Sequence, residues 1–99
     1  MPSVPYTVVA EQFAQPGKEE ELKKHLLALV APTRKEAGCL LYELHQDHSA
    51  PDHFVFFENW ESKEALERHI KTPHMAAFQA VEKQFVAQPA RVTFCARIS

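Results

Sequence analysis

The chain has little glycine, little cysteine and no block of like charges, and each shortage argues against a class of protein. Its 99 residues include two glycines and two cysteines, and 24% of them are charged, with a formal net charge of -2. The glycines form no phosphate-binding loop, so the sequence indicates no nucleotide cofactor. Because Lys and Arg are not clustered, we do not expect nucleic-acid binding.

Long apolar runs are missing as well. The apolar stretches are much shorter than the roughly 20 residues that cross a bilayer, so no membrane span is expected. Residues 1–5 lack the basic start and the apolar run of a signal peptide. Cys39 and Cys95 lie in strand-like segments without metal-type spacing, where reduced thiols are more common than a disulfide. These features predict a cytoplasmic protein.

The apolar pattern predicts one domain over residues 1–99, with elements in the order β-α-β-β-α-β. Strand composition marks residues 4–13, 39–47, 53–60 and 90–98. One helix is expected from residue 18, loosened by Pro32 and capped by Gly38. A second follows the N-cap Ser62 and is interrupted by Pro73. This order is typical of α+β, ferredoxin-like folds with an antiparallel sheet and both helices on one face.

The predicted sheet is apolar on both of its faces. Phe54, Phe56 and Trp60 alternate with Val55 and Phe57 along one strand, whereas a single layer of helices covers one face only. A second copy of the chain, packed sheet to sheet, would cover the other face. We therefore expect a homodimer, or a higher oligomer built from it.

A set of short segments occurs in a fixed order along nearly the whole chain: residues 16–18 (PGK), 36–39 (EAGC), 42–44 (YEL), 57–62 (FENWES) and 72–74 (TPH). The ordered set resembles the antibiotic biosynthesis monooxygenase family of dimeric α/β barrels. The resemblance implies enzymes that oxygenate quinols, anthrones or related phenols without metal, flavin or haem, and relatives that are isomerases or haem-degrading enzymes. Haem degradation is not expected here, because the position of the iron-binding histidine falls on Gln79.

His69 is the first predicted catalytic residue. It lies on the apolar stripe of the second helix, beside Leu66, and the resemblance implies that this position faces a pocket. An imidazole with a pKa near ~6.5 can remove a proton from a phenol at neutral pH. The alternative is a core histidine that bonds a backbone carbonyl.

Trp60 and Glu58 complete the predicted catalytic set. Both share strand parity and lie on the apolar face, where an unpaired carboxylate costs roughly several kcal/mol. Glu58 is expected either to pair with an arginine such as Arg34 or Arg91, or to orient His69 or sense the substrate hydroxyl. Trp60 is expected either to fill the core or to offer its indole N–H to a substrate oxygen.

Further residues are predicted to bind the substrate, each with an alternative. Asn59 points away from Trp60 unless the strand end bulges, and for His74 the alternative, which the helix restart after Pro73 favours, is a solvated or capping residue. The histidines of the central hairpin have no clear carboxylate triad, so no metal site is expected. The predicted substrate-binding residues are Tyr42, Asn59, His74, Phe56, Phe78 and Leu66.

Together these residues predict a monooxygenase that needs no cofactor and acts on a small electron-rich aromatic and dioxygen. His69 would take a proton, and the resulting anion would give one electron to dioxygen in a cavity shielded from water. Two alternatives stay open: an isomerase or epimerase that acts on a small hydroxyketone through the same base, and a non-catalytic stress protein that binds a small ligand.

Overall fold

The computed structural model describes residues 4–99, so part of the segment on which the signal-peptide prediction rests lies outside the described residues. The strands are β1 (Tyr6–Phe13), β2 (Cys39–Gln46), β3 (His53–Trp60) and β4 (Arg91–Ala96). The helices are α1 (Glu19–Leu27), α2 (Val30–Arg34), α3 (Lys63–Ile70) and α4 (Pro73–Val81), and a 3-10 turn (Glu82–Gln84) follows α4.

The strands form one antiparallel sheet in the order β2-β3-β1-β4, which confirms the predicted ferredoxin-like α+β fold. Each predicted helix is divided into two shorter helices, and a proline explains each division: Pro32 for α1 and α2, and Pro73 for α3 and α4. Pro32 has no N–H to donate to the carbonyl of Ala28 and its ring would crowd that carbonyl, so α1 ends before this turn. Pro73 is the first residue of α4, after Thr72 in an extended conformation.

Strand pairing fixes which side chains face the helices. Glu58 pairs with Val8 on one side and with Tyr42 on the other, and residues that pair directly share a face of the sheet. Trp60 and Phe54 share that face with Glu58 and are 0% and 1% exposed. The predicted alternation along β3 is therefore confirmed, with the core on the side of Glu58.

The other face of the sheet and the edge strand β4 remain open. Phe57, on the face away from the helices, is 37% exposed. Val92 and Phe94 pair with Ala10 and Val8 on the helix side, yet they are 45% and 55% exposed. Large apolar side chains are thus exposed on both faces of the sheet. Within residues 4–99, no helix has the length and apolar character needed to cross a bilayer.

The hairpin of β2 and β3 is tied to β1 through His53. Its Nδ1 lies 3.1 Å from Asp47 Oδ2, and its Nε2 lies 3.0 Å from Glu11 Oε1. The hydrogen bond to Asp47 raises the pKa of His53 above 6.5, against an opposing effect of burial. Its ring also stacks on Phe13, with centroids 4.6 Å apart. His53 thus links β3 to β1 and to Asp47, the residue that follows β2.

Candidate active site

A cavity of ≈ 280 Å³ lies between the helix side of the sheet and the helices α3 and α4. Its volume is close to the lower end of the ~300–1,000 Å³ range of small-molecule sites. Most of the residues that we predicted for the site contribute to its wall. The apolar part includes Phe56, Leu66 and Phe78, and the polar part includes Tyr42, Glu58 and His69.

His69 is held by a carboxylate that the sequence analysis gave no role. Its Nδ1 lies 2.7 Å from Glu36 Oε2, and the His69 side chain is 3% exposed. An ionised carboxylate only accepts hydrogen bonds, so Nδ1–H donates and the neutral ring keeps Nε2 as its acceptor. Burial lowers the pKa of His69 below 6.5, although Glu36 opposes this effect. At neutral pH the imidazole is therefore a free base at the wall of the cavity.

Gly38 explains how Glu36 reaches α3. The glycine has a φ of 86°, in the left-handed region that favours glycine. A Cβ built at this position would lie 2.6 Å from the Cβ of Ala65 in α3. Only a residue without a side chain allows this close approach, which brings the loop before β2 against the helix that carries His69. Gly38 has the left-handed φ that was expected, but it does not cap the helix, because α2 ends at Arg34 and Lys35 is its C-cap.

His74 lies behind His69 and outside the cavity wall. Its Nε2 is 2.8 Å from the same Oε2 of Glu36, and the hydroxyls of Thr33 and Thr72 lie 3.2 Å from that nitrogen. The His74 side chain is 21% exposed. The structure therefore places His74 in the network that supports His69 rather than among the cavity residues.

The same three side chains form a donor set that could hold a metal ion. One ligand atom each from Glu36, His69 and His74 lie within 4.8 Å of one another. Two imidazoles and a carboxylate suit Zn²⁺ or Fe²⁺. In this arrangement one carboxylate oxygen accepts a hydrogen bond from each ring, so the three groups also satisfy one another without an ion. The cluster was not expected, because its three residues come from separate segments of the chain, whereas the hairpin histidines are close in sequence.

Trp60 and Glu58 bind each other. Trp60 Nε1 donates to Glu58 Oε1 at 2.8 Å, so the indole N–H is already used and Trp60 is absent from the cavity wall. The Trp60 ring instead supports His69, with ring centroids 4.7 Å apart. Burial raises the pKa of Glu58 from 4.5 to about 7, although the bond from Trp60 opposes this. Glu58 is thus a carboxyl group that can hold or release a proton near neutrality.

Neither of the proposed arginine partners reaches Glu58. Arg34 Nε donates to the backbone oxygen of Tyr42 at 3.0 Å. Arg91 lies on the exposed edge strand, with its Nε 3.7 Å from Glu11 Oε2. The expectation of a Glu58–arginine pair is wrong, because the Trp60 indole supplies the hydrogen bond that the carboxyl group needs.

Tyr42 is at the centre of the polar wall, whereas Asn59 is elsewhere. The ring of Tyr42 lies 5.6 Å from the ring of His69, centroid to centroid, and burial raises the pKa of Tyr42, so its hydroxyl stays protonated. Asn59 faces the other side of the sheet, where its Oδ1 accepts from Thr7 Oγ1 at 2.6 Å. The irregular register falls in β2, so no bulge of β3 turns Asn59 toward the cavity.

Sequence reasoning missed several residues of this region, among them Glu36 and Gln12. Gln12 lines the cavity and is 7% exposed, yet the strand in which it lies was predicted from composition alone, with no residue assigned to the site. The signal that could have identified Gln12 was its position on the same face of the strand as Val8 and Ala10, where a polar residue is unusual. For Glu36 the signal was a carboxylate two residues before Gly38, at the entry to a buried strand.

Comparisons with known proteins give consistent matches. The family model described as antibiotic biosynthesis monooxygenase matches residues 5–81. The Mycobacterium tuberculosis protein Rv0793, provisionally named a monooxygenase, is 32% identical over 92 residues, which cover 93% of this chain and 90% of that protein. The Escherichia coli protein YgiN, named a probable quinol monooxygenase, is 34% identical over 87 residues, which cover 78% of this chain and 84% of YgiN.

A further relative is longer than this chain, and two solved structures share its fold. The Synechocystis protein sll1783 is 31% identical over 88 residues, which cover 89% of this chain but only 60% of the longer relative. The crystal structure of PA3566 from Pseudomonas aeruginosa has a TM-score of 0.95 and 39% identity, and the match covers 100% of this chain and 99% of that chain. The structure of Rv0793 has a TM-score of 0.90, with 96% of each chain covered.

Proposed function

Since the chain belongs to the antibiotic biosynthesis monooxygenase family, we propose that it is a cofactor-independent monooxygenase of a small quinol or related phenol. The observation that carries the proposal is the hydrogen bond of 2.7 Å between Glu36 and Nδ1 of His69, a residue of the cavity wall. It orients the ring, fixes its tautomer and leaves Nε2 free to take a proton.

In the proposed reaction, His69 Nε2 removes the proton of a substrate hydroxyl. The electron-rich phenolate gives one electron to dioxygen, and the resulting radical pair combines to form a carbon–oxygen bond. One oxygen atom stays on the ring and the other leaves as water, so a quinol yields a hydroxyquinone and itself supplies all four electrons. The protonated Tyr42 hydroxyl stabilises the phenolate, and Glu58 exchanges a proton near neutral pH.

The proposal includes a homodimer. The open face around Phe57 and the exposed edge strand with Val92 and Phe94 support a second copy that covers this apolar surface and shields the cavity from water. Sedimentation at micromolar concentration should give twice the mass of the chain, and a monomer would contradict this part. A cytoplasmic location is also proposed, supported by two free cysteines.

Oxygen uptake with a panel of quinols tests the catalytic proposal. His69→Gln should oxidise them about 10²–10⁴-fold more slowly than the parent protein, the usual contribution of a general base. The matched control is His48→Gln, which changes an exposed histidine of the hairpin and should retain the parent rate. Equal rates for the His69 variant and the parent would contradict the proposal. Product analysis with small hydroxyketones under nitrogen tests the isomerase, which would continue to turn over without oxygen.

A further inference from the structure

The electrostatic character of the cavity restricts its ligand. Glu58 and the half-buried Glu82 are in the wall, and no lysine or arginine within residues 4–99 joins them. Bringing a carboxylate or phosphate into this space would remove it from water and place it beside like charge, without a cationic partner. The wall therefore favours a neutral ligand with hydrogen-bond donors over an anionic one.

Gln12 provides a buried polar side chain at the cavity. The residue is 7% exposed and lines the cavity, and its Oε1 has no hydrogen-bond partner among residues 4–99. Such a buried oxygen without a partner costs folding free energy, and native structures seldom keep one without a reason. The terminal amide of a glutamine rotates easily, so a small turn brings its oxygen or nitrogen to a ligand in the cavity.

Gln12 lies at the opposite end of the cavity from the catalytic groups. Val8 pairs with Glu58, and Gln12 follows Val8 by four residues on the same face of β1. At about 3.3 Å per residue, this separation is about 13 Å of strand. The wall between the two ends is formed by apolar side chains such as Ala10, Phe56 and Phe78.

We propose that the Gln12 end is a second polar subsite, which selects neutral aromatic ligands that carry a hydroxyl at each end. One hydroxyl meets His69, and the other donates to the Gln12 amide across a flat apolar body. This inference rests on the proposed function for its first hydroxyl. It goes further by assigning a specificity residue and by excluding phosphorylated or carboxylated substrates.

Isothermal titration calorimetry with three redox-stable probes tests the subsite without any turnover. The probes are 4,4′-dihydroxybiphenyl, 4-phenylphenol and 4′-hydroxybiphenyl-4-carboxylate, which differ only at one end. The parent protein should bind the diol about tenfold more tightly than the mono-ol, which corresponds to one recovered buried hydrogen bond. The carboxylate should bind at least about tenfold more weakly than the diol, because no cation meets it.

Gln12→Met keeps the length of the side chain and removes its hydrogen-bonding atoms. In this variant the preference for the diol should fall to near one. The matched control is Gln84→Met, which changes an exposed glutamine of the 3-10 turn and should keep the parent preference. Because the variant removes an unsatisfied buried amide, it should fold with a Tm at least equal to that of the parent.

Several results would overturn the subsite. These are equal binding of diol and mono-ol by the parent, an unchanged preference in Gln12→Met, loss of folding in that variant, or failure of all three probes to bind. The experiments distinguish a failure of the subsite from a failure of the proposed function. Equal binding together with His69-dependent quinol oxidation refutes the subsite alone, whereas diol selectivity without any oxidation refutes the reaction alone.

Discussion

Replacing Glu58 by glutamine should change how the stability of the protein depends on pH. Burial raises the pKa of this carboxyl group from 4.5 to about 7, so folding disfavours its ionised form. The folded state then binds more protons than the unfolded state between these two values, and the free energy of unfolding falls as pH rises through this window. The difference corresponds to about 3 kcal/mol in total, since one pKa unit is about 1.4 kcal/mol.

Between about pH 5 and pH 8, this effect should reduce the stability of the parent protein by about 2–3 kcal/mol relative to Glu58→Gln. Glutamine keeps an oxygen that can accept from Trp60 Nε1, so the variant retains the hydrogen bond of 2.8 Å and loses only the titration. Urea denaturation at both pH values measures the free energy of unfolding of parent and variant, and the contributions of the other titrating groups cancel in the difference between them.

The matched control is Glu64→Gln on the exposed surface of α3, where the same change should leave the pH dependence almost unaltered. If the difference between the parent and Glu58→Gln were the same at both pH values, the carboxyl group would not be desolvated as the structure indicates. A parent protein that gained stability relative to the variant at high pH would refute the reasoning outright.

Three other changes have distinct outcomes. Gly38→Ala should destabilise the fold by about 2–5 kcal/mol in urea denaturation, because alanine is strained at positive φ and its Cβ would collide with Ala65. The control Gly17→Ala has the same positive φ but nothing within 4 Å of its Cβ, so it should cost about 1–2 kcal/mol. Equal losses of stability in the two variants would contradict the close approach at Gly38. His53 has a raised pKa, so its contribution is complete below pH 6.5 and is lost as pH rises through the folded pKa. The Tm advantage of the parent over His53→Gln should therefore shrink between about pH 6 and pH 9, and a constant difference would exclude the ion pairs as its source. Glu36→Ala should lower kcat for quinol oxidation by up to about a hundredfold with little change in KM, because the ring of His69 is no longer held in place. Glu36→Gln can still accept a hydrogen bond from Nδ1, so its kcat should fall less. An unchanged kcat in Glu36→Ala would contradict the positioning role of Glu36.

The fold was predictable because local signals agree with one another along the chain. Alternation in β3 indicated a strand with one buried face, and Pro32 and Pro73 indicated where each predicted helix is divided. The cavity residues Tyr42, Phe56, Glu58, Leu66, His69 and Phe78 followed from strand parity and helical spacing, which decide the face on which a side chain lies.

The hydrogen-bond partners were not predictable in the same way. Glu58 was expected to meet an arginine or His69, and it meets Trp60 two residues away on its own strand. His69 is held by Glu36, which is 33 residues distant and reaches it only through the tight approach at Gly38. Periodicity fixes a face but not a partner across the fold, since a partner depends on how loops bring distant segments together.

The central claim is that His69 presents a neutral Nε2 to the cavity while Nδ1–H donates to Glu36. Two-bond ¹H–¹⁵N correlation spectra of the histidine rings at neutral pH report which nitrogen of His69 carries the proton. We predict the Nδ1–H tautomer in the parent protein and a loss of this preference in Glu36→Ala. A ring protonated on Nε2, or on both nitrogens at pH 7, would contradict the claim.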